Sequence, residues 1–491
     1  ANYCIFASKN SMQDNIPHRI PSVWLAFVPL VFLIVLLALS IYLFGSDALG
    51  GGSQVCLLMA SGVCVLIGMG VLRKSWGEFE EAMVRNITGV GTAIIILLII
   101  GALSGAWIVS GVVPTLIYYG IQVIHPDFFL LCTCIICALV SVMTGSSWTT
   151  IATIGIALMG IGKAQGFSEG WIAGAIISGA YFGDKVSPLS DTTVLASSTT
   201  GTPLFTHIRY LMYTTVPSMI LALIIFGVAG LSHETSDTSH IALFTESLGA
   251  KFEITPWLLL VPVITGVLIA RRVPSIITLF VSTMLAVVAA FVFQPRLLAE
   301  ISGGEGLLGM VEGAFVMLFG GTNLDAGAAE VNELIATRGM AGMMDTIWLI
   351  ICAMCFGGAM TAGGMLDSIT RLFVRFTRHR VGMVASTVGS GLFFNIATAD
   401  QYISIILTSN IFKDIYKRSG YESRLLSRTT EDAVTVTSVL VPWNTCGMTQ
   451  ATILGVATLT YLPYCFFNLI SPLMSILVAW TGYKIVRKKG V

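Results

Sequence analysis

The decisive stretch is Gly179-Ala180-Tyr181-Phe182-Gly183-Asp184-Lys185-Val186-Ser187-Pro188-Leu189-Ser190-Asp191-Thr192-Thr193, which lies inside the apolar run 171–200. Two carboxylates, a lysine and a proline interrupt what would otherwise read as a helix at membrane depth. Irregular backbone there survives only where protein or a wet cavity satisfies its N–H and C=O groups. Three more apolar runs are broken in the same way. Run 128–160 breaks at Thr144-Gly145-Ser146-Ser147, run 381–412 at Asn395-Ile396-Ala397-Thr398-Ala399-Asp400, and run 429–458 at Pro442-Trp443-Asn444-Thr445.

Around these breaks lie uninterrupted apolar stretches at 24–44, 54–72, 90–112, 209–231, 256–270, 274–294, 343–366 and 461–483. Crossing the hydrocarbon takes about 20 such residues. The chain is 55% apolar and 11% charged, against about 25% charged in a soluble domain. It therefore reads as an all-α polytopic membrane protein, with lipid as its first partner. Lys+Arg and Asp+Glu number 26 each, so there is no basic surplus to attract nucleic acid. Gly160-Ile161-Gly162-Lys163 lacks the strand and spacing of a phosphate loop, which points to ion gradients and away from ATP. Cys132, Cys134 and Cys137, and the pair Cys352 and Cys355, read as small apolar residues on helix faces. No cofactor is expected, and the sequence indicates a carrier, not an enzyme.

Basic residues set the expected orientation. His18 and Arg19, then Arg73, Lys74 and Arg85, and finally Lys484, Arg487, Lys488 and Lys489 place segment 1–22 and tail 484–491 in the cytoplasm. Segment 1–22 has no charged n-region leading into a short apolar segment, the pattern of a cleaved signal. Loop 232–255, with four acids and one lysine, is expected outside. Run 381–412 has arginines before it (Arg371, Arg375, Arg378, Arg380) and bases after it (Lys413, Lys417, Arg418, Arg424, Arg428). Both ends on one face make it a re-entrant hairpin with its tip at Asn395–Asp400.

The chain also repeats itself. Arg85 falls on Arg338, Gly105-Ala106 on Gly358-Ala359 and Gly111 on Gly364, a spacing of 253 residues. One residue of slip gives 254, which puts Thr144 on Thr398, Lys163 on Lys417, Gly166-Phe167 on Gly420-Tyr421 and Pro188 on Pro442. Each half (23–231 and 256–483) then has three spans, a hairpin, a broken span and a last span. Five crossings is odd, so the halves are expected to be inverted. The fold predicted is two inverted repeats with about ten transmembrane helices, two re-entrant hairpins (128–160, 381–412) and two discontinuous helices (171–200, 429–458). Stretch 297–340, around Leu307–Gly320, finds no place in this count and reads as an insertion.

Broken helices in repeated halves gather ion sites near the midplane. Hydroxyl, amide and carboxylate oxygens make a shell for a hard cation. Asp400, Asn395, Thr398, Asn444, Thr445, Ser146, Ser147, Asp184 and Asp191 are the candidate Na⁺ ligands. Asp184, Asp191 and Asp400 are the candidate proton carriers, since a carboxylate at the centre of a membrane helix costs about 2.5–3.5 kcal/mol and stays only for a purpose. Two of them have plainer readings. Asp184 could pair with Lys185, and Asp191 could cap a helix after Ser187-Pro188. Glu431 and Asp432 read as charges at a helix start on the cytoplasmic face, with no ion assigned.

The stretch Gly179–Thr193 resembles the signature of the NhaC-type sodium/proton antiporters, and Gly145-Ser146-Ser147-Trp148-Thr149 and Pro442-Trp443-Asn444 are similar to that family as well. The resemblance covers 20–485. It implies Na⁺ exchanged for H⁺ across the inner (plasma) membrane, scaffold and transport parts, and an elevator-like movement. The same family includes exchangers coupling Na⁺ and H⁺ to organic acids such as malate and lactate, so that reading stands beside the first. Lys185, Ser187 and Thr192 would then bind the organic carboxylate. A homodimer is expected by analogy with other elevator carriers.

Overall fold

The computed structural model describes residues 21–44, 51–232, 238–375, 377, 379–485 and 487. These residues are helical almost throughout, and the extended pairings among them are two isolated bridges, Thr322 with Thr337 and Tyr421 with Arg487. Eight helices are long and apolar enough to cross a membrane: Val23–Phe44, Gly52–Gly70, Gly91–Val109, Pro126–Thr144, Leu204–Leu231, Ser275–Phe293, Ala341–Ala362 and Arg380–Thr398. Three bent pairs raise the number to eleven if each is one span: Ile241–Lys251 with Pro256–Ala270 (95°), Pro295–Ser302 with Gly306–Phe319 (78°) and Thr458–Tyr464 with Phe466–Thr481 (57°). The chain is a multi-pass, all-helical membrane protein. Most of segment 1–22, together with Arg378, Lys488 and Lys489, lies outside the described residues.

The spans are apolar on every side, as helices between protein and lipid must be. Val23–Phe44 buries Ala26, Leu30, Leu33 and Leu37 and leaves Val31, Val35 and Leu39 exposed. Leu204–Leu231 buries Leu211, Ala222 and Phe226 and exposes Ile220, Ile224 and Val228.

Two stretches differ from the sequence expectation. Run 232–255, read as a loop, contains the helix Thr238–Lys251. Its Phe244 and Leu248, with Phe252 just beyond, recur every fourth residue and are buried in the main core; the acids scattered through 232–255 hid that stripe. The stretch read as an insertion holds Pro295–Ser302 and Gly306–Phe319, which pack closely. A Cβ on Gly313 would meet the Leu298 carbonyl oxygen at 1.9 Å, and one on Gly309 would meet Gly304 backbone at 2.5 Å. Small residues permit such approach between membrane helices.

Element boundaries follow the sequence register. Gly91–Val109 and Met344–Ala362 begin and end 253 residues apart, and each is followed by a left-handed glycine, Gly111 (φ +85°) or Gly364 (φ +66°). At a spacing of 254, Thr144 and Thr398 end helices, Gly145 and Ala399 are left-handed, and Ser146 and Asp400 cap the next helix. Ser190 and Asn444 are likewise N-caps, and Gly201 and Gly455 left-handed C-caps, at that spacing. Gly306 begins its helix 254 residues after Gly52 begins its own. The stretch read as an insertion thus contains a helix that starts at the same 254-residue spacing from Gly52–Gly70.

Candidate functional site

The first tip forms because Phe129–Thr144 ends at Gly145, whose φ of +67° only glycine adopts freely. The position is also crowded: a Cβ there would lie 2.7 Å from the backbone carbon of Leu189. Tip and first broken helix therefore touch at their backbones. Ser146 then caps Ser147–Thr150, its Oγ accepting from the Thr149 N–H at 3.2 Å.

The broken helix runs Glu169–Val186, stops at Ser187-Pro188 and resumes as Asp191–Thr200. Gly179 and Gly183 let it lie on the Phe129–Thr144 backbone, where an added Cβ would meet the Cys134 oxygen at 2.2 Å or the Val142 nitrogen at 2.4 Å. The break leaves carbonyls without helical partners. Thr193 Oγ1 donates to two of them, Asp184 (3.1 Å) and Lys185 (3.0 Å).

Asp184 sits at this break, buried, and accepts two hydroxyls. Ser147 Oγ of the tip donates to Oδ2 at 2.7 Å, and Ser190 Oγ to Oδ1 at 2.6 Å. Thr192 Oγ1 joins Ser190 at 2.9 Å. Ser187 points elsewhere, donating to the Val142 carbonyl at 2.8 Å.

The second half builds the same junction with the roles exchanged. Arg380–Thr398 ends at Ala399, left-handed at φ +59°, a state that costs an L-residue roughly 1–2 kcal/mol. Its carbonyl accepts from the Thr445 N–H at 2.8 Å. Asp400 caps Gln401–Arg418: Oδ1 accepts from the Ile403 N–H (2.9 Å) and Oδ2 from Thr445 Oγ1 (3.2 Å). Thr398 Oγ1 accepts from the Asp400 N–H at 3.3 Å. Asn444 caps the resumed helix through the Cys446 N–H and reaches back to the Asn395 carbonyl at 3.0 Å. Asn395 holds the Val434 carbonyl (2.8 Å) and Thr437 Oγ1 (3.0 Å), while its own Oδ1, buried, has no partner among the described residues.

The structure thus brings Ser146, Ser147, Asp184 and Thr192 together in one junction, and Asn395, Thr398, Asp400, Asn444 and Thr445 in the other. Tyr402 lies within reach of the charges of Asp184, Asp191 and Asp400. The Cys446 thiol lies beside Ser438, Tyr181 and Trp148. Asp191 is the outlier. Ser190 is the cap, and Asp191 is the first residue of the helix, exposed.

Two readings are corrected. Lys185 does not pair with Asp184. Its Nζ, fully buried, forms an ion pair with Asp432 and donates to Ser471 Oγ at 2.8 Å. Adjacent residues on a helix point about 100° apart, so Asp184 and Lys185 serve different neighbours. That pairing also commits the cation assigned to an organic carboxylate. Glu431 and Asp432 do not lie at a helix start on a membrane face. Their helix begins at Ser423, two turns earlier, and both are fully buried in a π-helical turn, Glu431–Thr435. Asp432 Oδ1 also accepts from Thr214 Oγ1 at 3.1 Å. Arg428, one turn before, is buried with its guanidinium 4.7 Å from the Tyr210 ring and its Nε 3.9 Å from Asp432 Oδ2. The signal was present: Arg428 and Asp432 are four apart, helix neighbours.

The family model described as "Na+/H+ antiporter family" matches residues 179–483. The Na⁺/H⁺ antiporter NhaC of Alkalihalophilus pseudofirmus is 36% identical over 437 residues, 89% of this chain and 91% of that one. The malate-2H⁺/Na⁺-lactate antiporter of Bacillus subtilis is 35% identical over 467 residues, 94% and 96% of the two chains. The arginine/ornithine antiporter ArcD of Halobacterium salinarum is 33% identical over 486 residues, 97% and 96%. With a family match that takes in the breaks of both discontinuous helices, and relatives spanning nearly the whole length, the chain belongs to the Na⁺/H⁺ antiporter family.

Proposed function

We propose that the chain is a secondary carrier that exchanges Na⁺ for H⁺ across the plasma membrane. The observation that carries this is the matched pair of junctions. In each half a tip and a broken helix meet through one hydroxyl-to-carboxylate bond, Ser147 to Asp184 and Thr445 to Asp400. Na⁺ needs oxygens from several segments at once. Asp184 with Ser147 and Ser190, and Asp400 with Thr445, Asn444 and the unpartnered Asn395 Oδ1, offer that chemistry. A cation that replaces a hydroxyl proton at either carboxylate binds tip and broken helix to each other. Na⁺ and H⁺ exclude one another because the buried site accommodates one added positive charge.

In this reading the halves are inverted, both termini are cytoplasmic, and tips and broken helices move together against the remaining spans. The chain acts as a homodimer through those spans. Organic-acid exchange has less support, since Lys185 is already neutralised by Asp432. The names of two relatives nevertheless require that organic substrates be tested.

The experiment uses liposomes with a trapped pH dye and an inward Na⁺ gradient, comparing wild type with Asp400→Asn. Proton efflux with Na⁺ alone, lost in the variant, is expected. Proton movement only when malate, lactate or arginine is added would replace Na⁺/H⁺ exchange with carriage of that substrate.

A further inference from the structure

Glu431 has no part in either junction, yet it is among the least explained groups in the protein. It is fully buried, neither carboxylate oxygen makes a well-formed hydrogen bond among the described residues, and the one donor acting on it is the Thr435 hydroxyl of its own turn. Its neighbour Asp432 is the opposite case, with Lys185, Thr214 and Ser471 on one oxygen. An ionised carboxylate with so few donors is costly to bury, whereas its neutral acid is not.

The charged groups facing Glu431 are few. Lys185 and Asp184 act on it from Glu169–Val186, and Asp432 from its own turn. Lys185 is committed to Asp432 and Ser471. Arg428, from the turn before, lies over Tyr210 and beside Asp432. From Leu204–Leu231 come Thr214, on Asp432, and His207, which feels Lys185 and bonds Ser427 Oγ at 2.8 Å. Phe466–Thr481 brings Ser471. Arg380–Thr398 and Gln401–Arg418 also pack on this turn, bringing Asn395, which holds the Val434 carbonyl, and Gln401, which bonds Ser438. Lys185, though bonded to Asp432, still acts on Glu431, and Asp184, a carboxylate of the first junction, opposes it; that opposing charge is the one a cation at the junction removes.

We propose that Glu431 carries the exchanged proton, and that Na⁺ arriving at Asp184 releases it through the field between the two carboxylates. This rests on the Na⁺/H⁺ reading and assigns its proton half to a residue outside the junctions. With Na⁺ absent, Asp184 is anionic and Glu431 is a neutral acid. With Na⁺ at Asp184, that anion is compensated, the O–H bond of Glu431 breaks, and its proton leaves to water. One positive charge enters and one departs, so the cluster's net charge is equal in the two loaded states. The linkage is reciprocal: proton uptake at Glu431 weakens Na⁺ at Asp184 by the same factor.

The test uses the full chain in liposomes and two readouts, tracer Na⁺/Na⁺ exchange and Na⁺-driven proton flux. Glu431→Gln is expected to keep Na⁺/Na⁺ exchange and lose proton flux, with exchange no longer varying with pH. Glu431→Asp is expected to retain both. Infrared difference spectra on Na⁺ addition should show loss of a protonated carboxyl band in wild type and none in Glu431→Gln. Wild-type proton flux and pH profile in Glu431→Gln would overturn the proposal, as would loss of Na⁺/Na⁺ exchange in both variants. Absence of Na⁺-driven proton flux in the wild type would instead overturn the Na⁺/H⁺ reading on which it rests.

Discussion

Lys185 and Asp432, 247 residues apart, form a fully buried ion pair that ties the broken helix of one half to the broken helix of the other. Thr214 and Ser471 complete the anion's hydrogen bonds from two further helices. Four segments that the chain delivers separately are thus fixed around one carboxylate oxygen.

Breaking a buried pair from one side leaves the other charge uncompensated, at about 3–5 kcal/mol. Lys185→Met and Asp432→Leu should each lower the melting temperature of the detergent-solubilised protein sharply. The double variant should regain much of the loss, because two apolar side chains of similar volume leave no charge behind. A double variant no better than the worse single one would show that the pair is not the partner each charge needs.

At the first junction, Ser147→Ala removes a hydroxyl from the Asp184 carboxylate. Hydrogen bonds to charged groups contribute about 1.5–3 kcal/mol, so the apparent Na⁺ affinity should fall by about ten- to a hundredfold. Thr445→Ala should act alike at Asp400. Concentration dependence of Na⁺-driven proton flux measures both, and an unchanged half-saturation in either variant removes that hydroxyl from the ion's shell.

The two tips should respond oppositely to backbone substitution. Gly145→Ala places a Cβ 2.7 Å from Leu189 backbone at φ +67°, so expression and melting temperature should both drop. Ala399→Gly relieves a left-handed residue at φ +59° and should be neutral or stabilising by about 1 kcal/mol. Thermal melts of the two variants side by side check this, and a stabilised Gly145→Ala would contradict the tip geometry.

Competition between Na⁺ and H⁺ fixes the sign of the pH dependence. Protons favour the neutral acids and Na⁺ the anions, so the Na⁺ concentration for half-maximal exchange should rise as pH falls. In the range where the acid titrates, the rise approaches about tenfold per pH unit. Exchange assayed across pH at several Na⁺ concentrations gives the slope, and a half-saturation independent of pH would remove shared occupancy as the coupling.

Inversion of the halves is checked by chemistry at the starts of corresponding helices. Ser168 precedes Glu169–Val186, and Ser423 opens the corresponding helix of the second half. Single cysteines at these sites, in a background with the native cysteines replaced, should react with an impermeant maleimide from opposite faces of the membrane. Reaction from the same face would make the repeats parallel.

Sequence by itself determined the membrane class and the places where helices break, and it showed the 253–254 spacing at which element boundaries recur. These are local properties: apolar runs set spans, and Gly145, Pro188, Asp400 and Asn444 interrupt or cap helices wherever the chain places them. It also singled out Asp184 and Asp400, because an acid inside an apolar run is costly wherever that run packs. Only the tertiary structure decided which charges meet. Lys185 adjoins Asp184 in the chain yet turns to Asp432, and Glu431 and Asp432 follow a basic loop yet lie fully buried. A pairing across 247 residues leaves no local trace, because the direction of each side chain is set by where its helix begins and what packs against it.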